Sequence, residues 1–180
     1  MKPHILVAGI GNILRADDGF GVDVVRKLTQ CSSRPDVEII DFGIRGIDFA
    51  YKLLDGKYDT LIIVDTLSRG EAPGTLYVME PEIPDSSNIT DANANEEPLF
   101  MEPHGMDPFK VLKWVKAMGG KRKNIKIVGC EPENLASDEE PEMGLSPCVL
   151  RSLEGAVTLI ESLIEDSYRD FSAIKAACTN

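Results

Sequence analysis

The stretch GIGNILRADDGFG, Gly9 to Gly21, decides how the rest of the chain is read. It follows an apolar run, HILVAGI, and leads into GVDVVRKLTQ, where Val22, Val25 and Leu28 recur at helical spacing. Strand, glycine turn and helix in that order open an α/β domain. A dinucleotide turn needs G-x-G-x-x-G, so that backbone can approach a pyrophosphate at a helix N-terminus. Here Leu14 stands at the third glycine position, and Asp17 and Asp18 occupy the place where positive potential is needed. Two carboxylates repel an anion and attract a cation, which turns the reading from phosphate to metal.

Working outward, VEIIDFG reads as a second strand and IDFAYKLLDG as a helix with Phe49, Leu53 and Leu54 on one face and Gly56 as its stop. YDTLIIVDT is a third strand, almost continuously apolar, as parallel strands covered on both faces are. GTLYVME reads as a fourth, at a sheet edge, and NIKIVGC as a fifth. Between them, residues 80–103 lose all periodicity and predict an irregular loop of the kind that is often functional. Asp107 and Pro108 then stand as N-cap and first residue of a helix with Val111, Leu112 and Val115 on its apolar side and Gly119 at its end. An acidic loop precedes a final helix from about Ser146 to Ile164, and residues 166–180 either extend it or fray. The alternation predicts one domain over 1–180: a three-layer α/β/α sandwich with a mostly parallel open sheet of about five strands.

The length of 180 residues suits a single core, and 43% hydrophobic with 27% charged residues excludes a disordered chain. A net charge of -11 argues against nucleic acid or an anionic membrane surface as partner. The four cysteines, at 31, 130, 148 and 178, form no C-x-x-C pair and read as reduced thiols. No secretory signal or membrane-spanning stretch is legible, so the expected location is the cytoplasm. With no exposed apolar stripe in the pattern, a monomer is the expectation.

In open α/β sheets ligands bind beyond the carboxyl ends of the strands. Asp17 and Asp18 follow the first strand, Asp41 the second and Asp65 the third. If the first strand lies between the second and third, neighbouring ends are about 4.8 Å apart and Asp18 can face Asp65. His4 begins the first strand, at the opposite end of the sheet, whereas His104 closes the irregular loop and could reach the carboxylates. Two carboxylates and an imidazole make an open site for nickel, zinc or iron. Each has a plainer reading as well: Asp17 or Asp18 as a helix cap, Asp65 as a turn former, His104 as a loop residue, and Asp41 as a residue that orders its glycine turn. A serine or cysteine nucleophile has no spare histidine to serve as base, and no G-x-S-x-G elbow is present.

The motifs GIGNILRADDGFG, IIVDT and PHG, with GTLYVME, IVGCEPENL and GLSPCV in support, resemble those of the nickel-iron hydrogenase maturation endopeptidases, from about Ile5 to Ile164. The resemblance implies an α/β/α sandwich that removes a C-terminal extension from the hydrogenase large-subunit precursor after nickel insertion. It implies that Asp18, Asp65 and His104 sense the nickel. Asp18 and Asp65 are the catalytic candidates expected of an aspartic-type site, with either the metal or an aspartate activating the water. Thiolates of the substrate would hold nickel more firmly than this trio, so nickel is expected to arrive with the substrate. Many members carry D-G-G-T-x-G after the second strand; this chain has DFGIRG, with Phe42 and Ile44 as departures that bear on which hydrogenase is accepted. The acidic loop at 137–142 reads as a solvated insertion or a docking surface. A metal-binding assembly chaperone that leaves its partner uncut is the first alternative, and a nucleotide- or phosphate-binding protein the second.

Overall fold

The computed structural model describes residues 2–31, 33–81, 106–120, 124–137 and 139–177. Five strands form one sheet in the order β2-β1-β3-β5-β4. They are β1 (Ile5–Ile10), β2 (Val37–Gly43), β3 (Thr60–Thr66), β4 (Leu76–Met79) and β5 (Asn124–Cys130). β1 pairs parallel with β2 and β3, β3 pairs parallel with β5, and β4 lies antiparallel on the β5 edge. The apolar runs in β1 and β3 are buried on both faces, which explains why neither shows a strand alternation.

Helices α1 (Phe20–Cys31) and α4 (Pro147–Ala177) cover one face of the sheet. Helices α2 (Gly46–Leu54) and α3 (Pro108–Ala117) cover the other. Phe20, Val24 and Leu28 of α1 meet Val157, Ile160 and Ile164 of α4 over Ile5, Val7 and Ile62. Phe49 and Leu53 of α2 meet Val111 and Val115 of α3 over Leu6, Ile63 and Ile127. Fully burying a side chain such as Phe20 or Phe49 contributes about 1.5–3 kcal/mol, so the two faces hold the sheet from both sides. The expected three-layer α/β/α sandwich with a mostly parallel sheet is the architecture observed.

The open ending of the chain is helical: α4 runs through Ala177, past the Ile164 boundary, with Leu163, Ile164 and Ser167 buried. Asp107 caps α3 in extended geometry (φ -94°, ψ 108°), its carboxylate accepting from the N–H groups of Phe109 and Lys110. Phe42, the first departure in DFGIRG, lies in β2 itself and is a core residue, its ring 5.0 Å from that of Phe49 and tilted 55°. Ile44, the other departure, faces solvent. The irregular segment expected over 80–103 falls outside the described residues from 82 onward.

The strand order places a topological switch point between β1 and β3. Connections from their carboxyl ends leave toward different edges of the sheet, opening a crevice there.

Candidate active site

The turn after β1 is shaped by glycines at close quarters. A Cβ on Gly11 (φ 128°) would lie 1.8 Å from the carbonyl oxygen of Asp18, so only glycine lets the turn fold back on that aspartate. A Cβ on Gly21 would lie 2.2 Å from the oxygen of Val64 and 2.3 Å from that of Ile10. The first turn of α1 therefore sits directly on the ends of β1 and β3. Between these glycines runs a short 3-10 turn, Ala16–Gly19, which presents the acidic pair. Ala16 has φ 49° and is the only non-glycine residue, among those described, in the left-handed region. That conformation costs on the order of 1 kcal/mol and must be held from outside.

The holding comes from the loop after β5. Ala16 N–H donates to Glu142 O at 2.7 Å, and Glu142 N–H donates to Leu14 O at 3.0 Å. Arg15 and Glu142 form an isolated parallel bridge, and Arg15 Nε donates to Ala136 O at 2.9 Å. The acidic loop, read from sequence as solvated or docking surface, is thus stitched through Glu142 to the turn after β1.

Asp17 lies inside this seam, fully buried. Its Oδ2 accepts from the N–H groups of Glu133 and Asn134, both at 2.9 Å, and from Ser146 Oγ at 2.8 Å. Its Oδ1 accepts from Ser146 N–H at 2.7 Å. Burial alone would raise its pKa, but the N–H groups of Asn134 and Ser146, the Ser146 hydroxyl and the Glu133 N–H outweigh it and hold the carboxyl below its usual range. The helix-cap reading of Asp17 is corrected: its donors come from segments more than a hundred residues away.

Asp18 Oδ2 accepts the Asn12 N–H at 3.0 Å. A phosphate on this turn would need that same donor, so the phosphate alternative loses a principal contact. Asp65, at the end of β3, is only 7% exposed. Among the described residues its one hydrogen-bond donor is the adjacent Thr66 N–H, at 2.8 Å on Oδ1. Burial first, and then the charges of Asp18 and Asp107, push its pKa up to about 8, although the Thr66 N–H pulls the other way. Asp18 and Asp65 are thus within electrostatic reach of each other across adjacent strands, and Asp65 holds a proton at neutral pH.

The other candidates part company. His104 lies outside the described residues. His4 precedes β1 at the amino edge, where its N–H donates to Asp59 Oδ2 and its oxygen accepts from Asp59 N–H. Asp41 pairs with Arg26 at 3.2 Å on the surface, and its carbonyl accepts from Arg45. Cys31, Cys130 and Cys148 form no disulfide; Cys178 lies outside the described residues. Among the described residues no three His, Cys, Asp or Glu side chains are grouped so as to hold a metal ion. A hollow of about 540 Å³ at the amino edge, lined by Lys2, Arg34, Glu165 and Tyr168, sets two cations against an anion that already pairs with Arg34. It has no convergent charge of one sign and lies at the opposite end of the sheet from the carboxylates.

Sequence reasoning missed Glu131. It is buried and accepts from Tyr77 Oη and from the N–H groups of Arg69 and Gly70, fixing the loop after β3. The quoted motif IVGCEPENL contains it, but nothing local marks it as inward-facing.

Fold and site define an open α/β/α protein with a carboxylate-lined centre at its topological switch point. The family model for the hydrogenase maturation proteases (HycI) matches residues 22–163. The chain is 33% identical over 166 residues to the hydrogenase 2 maturation protease of Escherichia coli K12, covering 91% of this chain and 92% of that protein. The solved hydrogenase maturating endopeptidase HybD from E. coli superposes with a TM-score of 0.67 at 29% identity, over 91% of this chain and 93% of that one. The hydrogenase 2 maturation peptidase from Thaumarchaeota archaeon SCGC_AB-539-E09 gives 0.63 at 31% identity, over 89% and 97%. The chain belongs to the hydrogenase maturation protease family and is a peptidase. No described helix is long and apolar enough to cross a membrane.

Proposed function

We propose that this peptidase removes the C-terminal extension of a nickel-loaded hydrogenase large-subunit precursor, and that the nickel is carried in by the substrate. The observation that carries the reading is Asp65: a buried carboxyl with a single described donor, beside Asp18, at the crevice between β1 and β3. Asp65, with one donor among the described residues and a second carboxylate close by, is relieved by an incoming cation. Asp65 gives up its proton as the cationic site docks, and Asp18 and Asp65, with His104 as third donor, complete the coordination from the protease side. A carboxyl whose pKa lies near the working pH is also suited to exchanging a proton with water during peptide hydrolysis. The enzyme acts in the cytoplasm as a monomer.

The test is incubation of the purified protein with nickel-loaded and metal-free precursor, read by intact mass. Shortening of the nickel-loaded chain alone is the expected result. Shortening of both removes nickel from the recognition step. Binding with no change of mass favours the assembly-chaperone reading of the site.

A further inference from the structure

Asp17 takes no part in the chemistry just described, yet among the described residues its carboxylate has four hydrogen-bond donors where that of Asp65 has one. We propose that Asp17 is a positioning residue that sets the separation of Asp18 and Asp65. The inference rests on the reading of that pair as the reacting groups. Asp17 makes contacts in two directions. Its carboxylate gathers four donors from the loop after β5 and the start of α4: the Glu133, Asn134 and Ser146 N–H groups and the Ser146 hydroxyl. Its main chain reaches the other side of the crevice, where its carbonyl oxygen accepts from Thr66 Oγ1 at 2.7 Å. Its N–H donates to Asn134 O at 3.2 Å. Asp18 is the next residue after Asp17, and Thr66 is the next residue after Asp65. One buried residue therefore joins the strand end bearing one carboxylate to the turn bearing the other, and pins both to the β5–α4 connection. The turn carries strain at Ala16, its first residue, which is in the left-handed region, so contacts from outside help to hold it.

The chemistry of the contacts supplies a near-isosteric probe. All four groups on the carboxylate are donors, so an amide at this position must turn its NH2 toward at least one N–H or hydroxyl donor. Asp17→Asn keeps the volume and breaks the clamp. Thr66→Val removes the second tether, and Thr66→Ser keeps its hydroxyl.

The experiment is single-turnover cleavage of nickel-loaded precursor with enzyme in excess, read by mass and fitted for the maximal rate and the half-saturating enzyme concentration. A displaced reacting group costs turnover more than binding, so Asp17→Asn is expected to lower the maximal rate by about tenfold or more, with half-saturation changed less than about threefold. Thr66→Val lowers the rate by roughly threefold to tenfold, and Thr66→Ser restores it. A merely structural Asp17 would reduce the folded fraction, shifting half-saturation while leaving the maximal rate intact; that result overturns the proposal. If Asp17→Asn does not fold, equal maximal rates for Thr66→Val, Thr66→Ser and the unchanged protein overturn it instead. Asp18→Asn is run alongside. If it keeps the full rate, the reading of the site has failed; if it is inactive while Asp17→Asn keeps the full rate, only the positioning inference has failed.

Discussion

Asp17 and Asp65 are both shielded from water at the same edge of the sheet, and they are held in opposite protonation states. Asp17 sits among four donors that the loop after β5 and the start of α4 supply. Asp65 has one described donor and two carboxylate neighbours, Asp18 and Asp107. Burial is common to both, so burial alone does not set a carboxylate's protonation state. The number of donors separates them: a carboxylate with many donors is held ionised, and one with few keeps capacity for a ligand or a proton.

This contrast is most exposed to Asp65→Asn. Cleavage of nickel-loaded precursor is expected to fall by about 10²-fold or more, on the scale of a lost acid–base group. A full rate would return Asp65 to the role of a strand-end turn residue. The next effect lies on the other side of the comparison. Asp17→Asn is expected to cost about 3 kcal/mol in urea unfolding, because it leaves buried donors facing a donor. A loss below about 1 kcal/mol would mean that water replaces the contacts.

The pH dependence separates the two groups by sign. Asp65 keeps its proton in the folded protein up to about 8, whereas the unfolded chain releases it near 3.9. Its contribution to stability is thus complete below the unfolded value. It is lost as pH rises, by about 1.4 kcal/mol per unit, until the folded value is passed. Asp65→Asn removes that slope, so the variant gains on the unchanged protein steadily between about pH 4 and pH 8 when chemical denaturation is followed across pH. Asp17, held low, contributes the opposite: stability present above its unfolded pKa and lost as pH falls through its folded one. Parallel pH profiles for the two variants would erase the contrast.

The smallest effect belongs to Asp41. Its ion pair with Arg26 is half exposed on the Arg26 side, and Asp41→Asn is expected to change stability by less than about 1 kcal/mol. Cleavage should stay within about twofold of the unchanged protein. A larger loss would extend the reacting cluster toward β2.

Much of this was open to a reader of the chain because it depends on local rules. The buried runs of β1 and β3, the glycine-bounded turn, and the Asp107–Pro108 start of α3 follow from periodicity, steric freedom and capping, all of which act within a few residues. The placement of Asp18 and Asp65 at neighbouring strand ends followed from the handedness of βαβ crossovers. The roles of Asp17 and Glu131 did not, because the donors that define Asp17 and most of those on Glu131 lie far off in the chain. Asp17 bonds residues 116 to 129 positions away, and the acidic pair carries no mark of which member turns inward. The same limit applied to the loop around Glu142, whose composition suggests solvent while its backbone is bridged to Arg15.

Sequence alone determined the order of elements, the sandwich architecture and the presence of an acidic centre beyond strands one and three, since hydrophobic period, chirality and turn chemistry are near-neighbour properties. Tertiary structure decided which aspartate is clamped and which is left wanting a partner. A carboxylate's state is set by the donors and charges that packing brings to it, and those arrive from the other end of the chain.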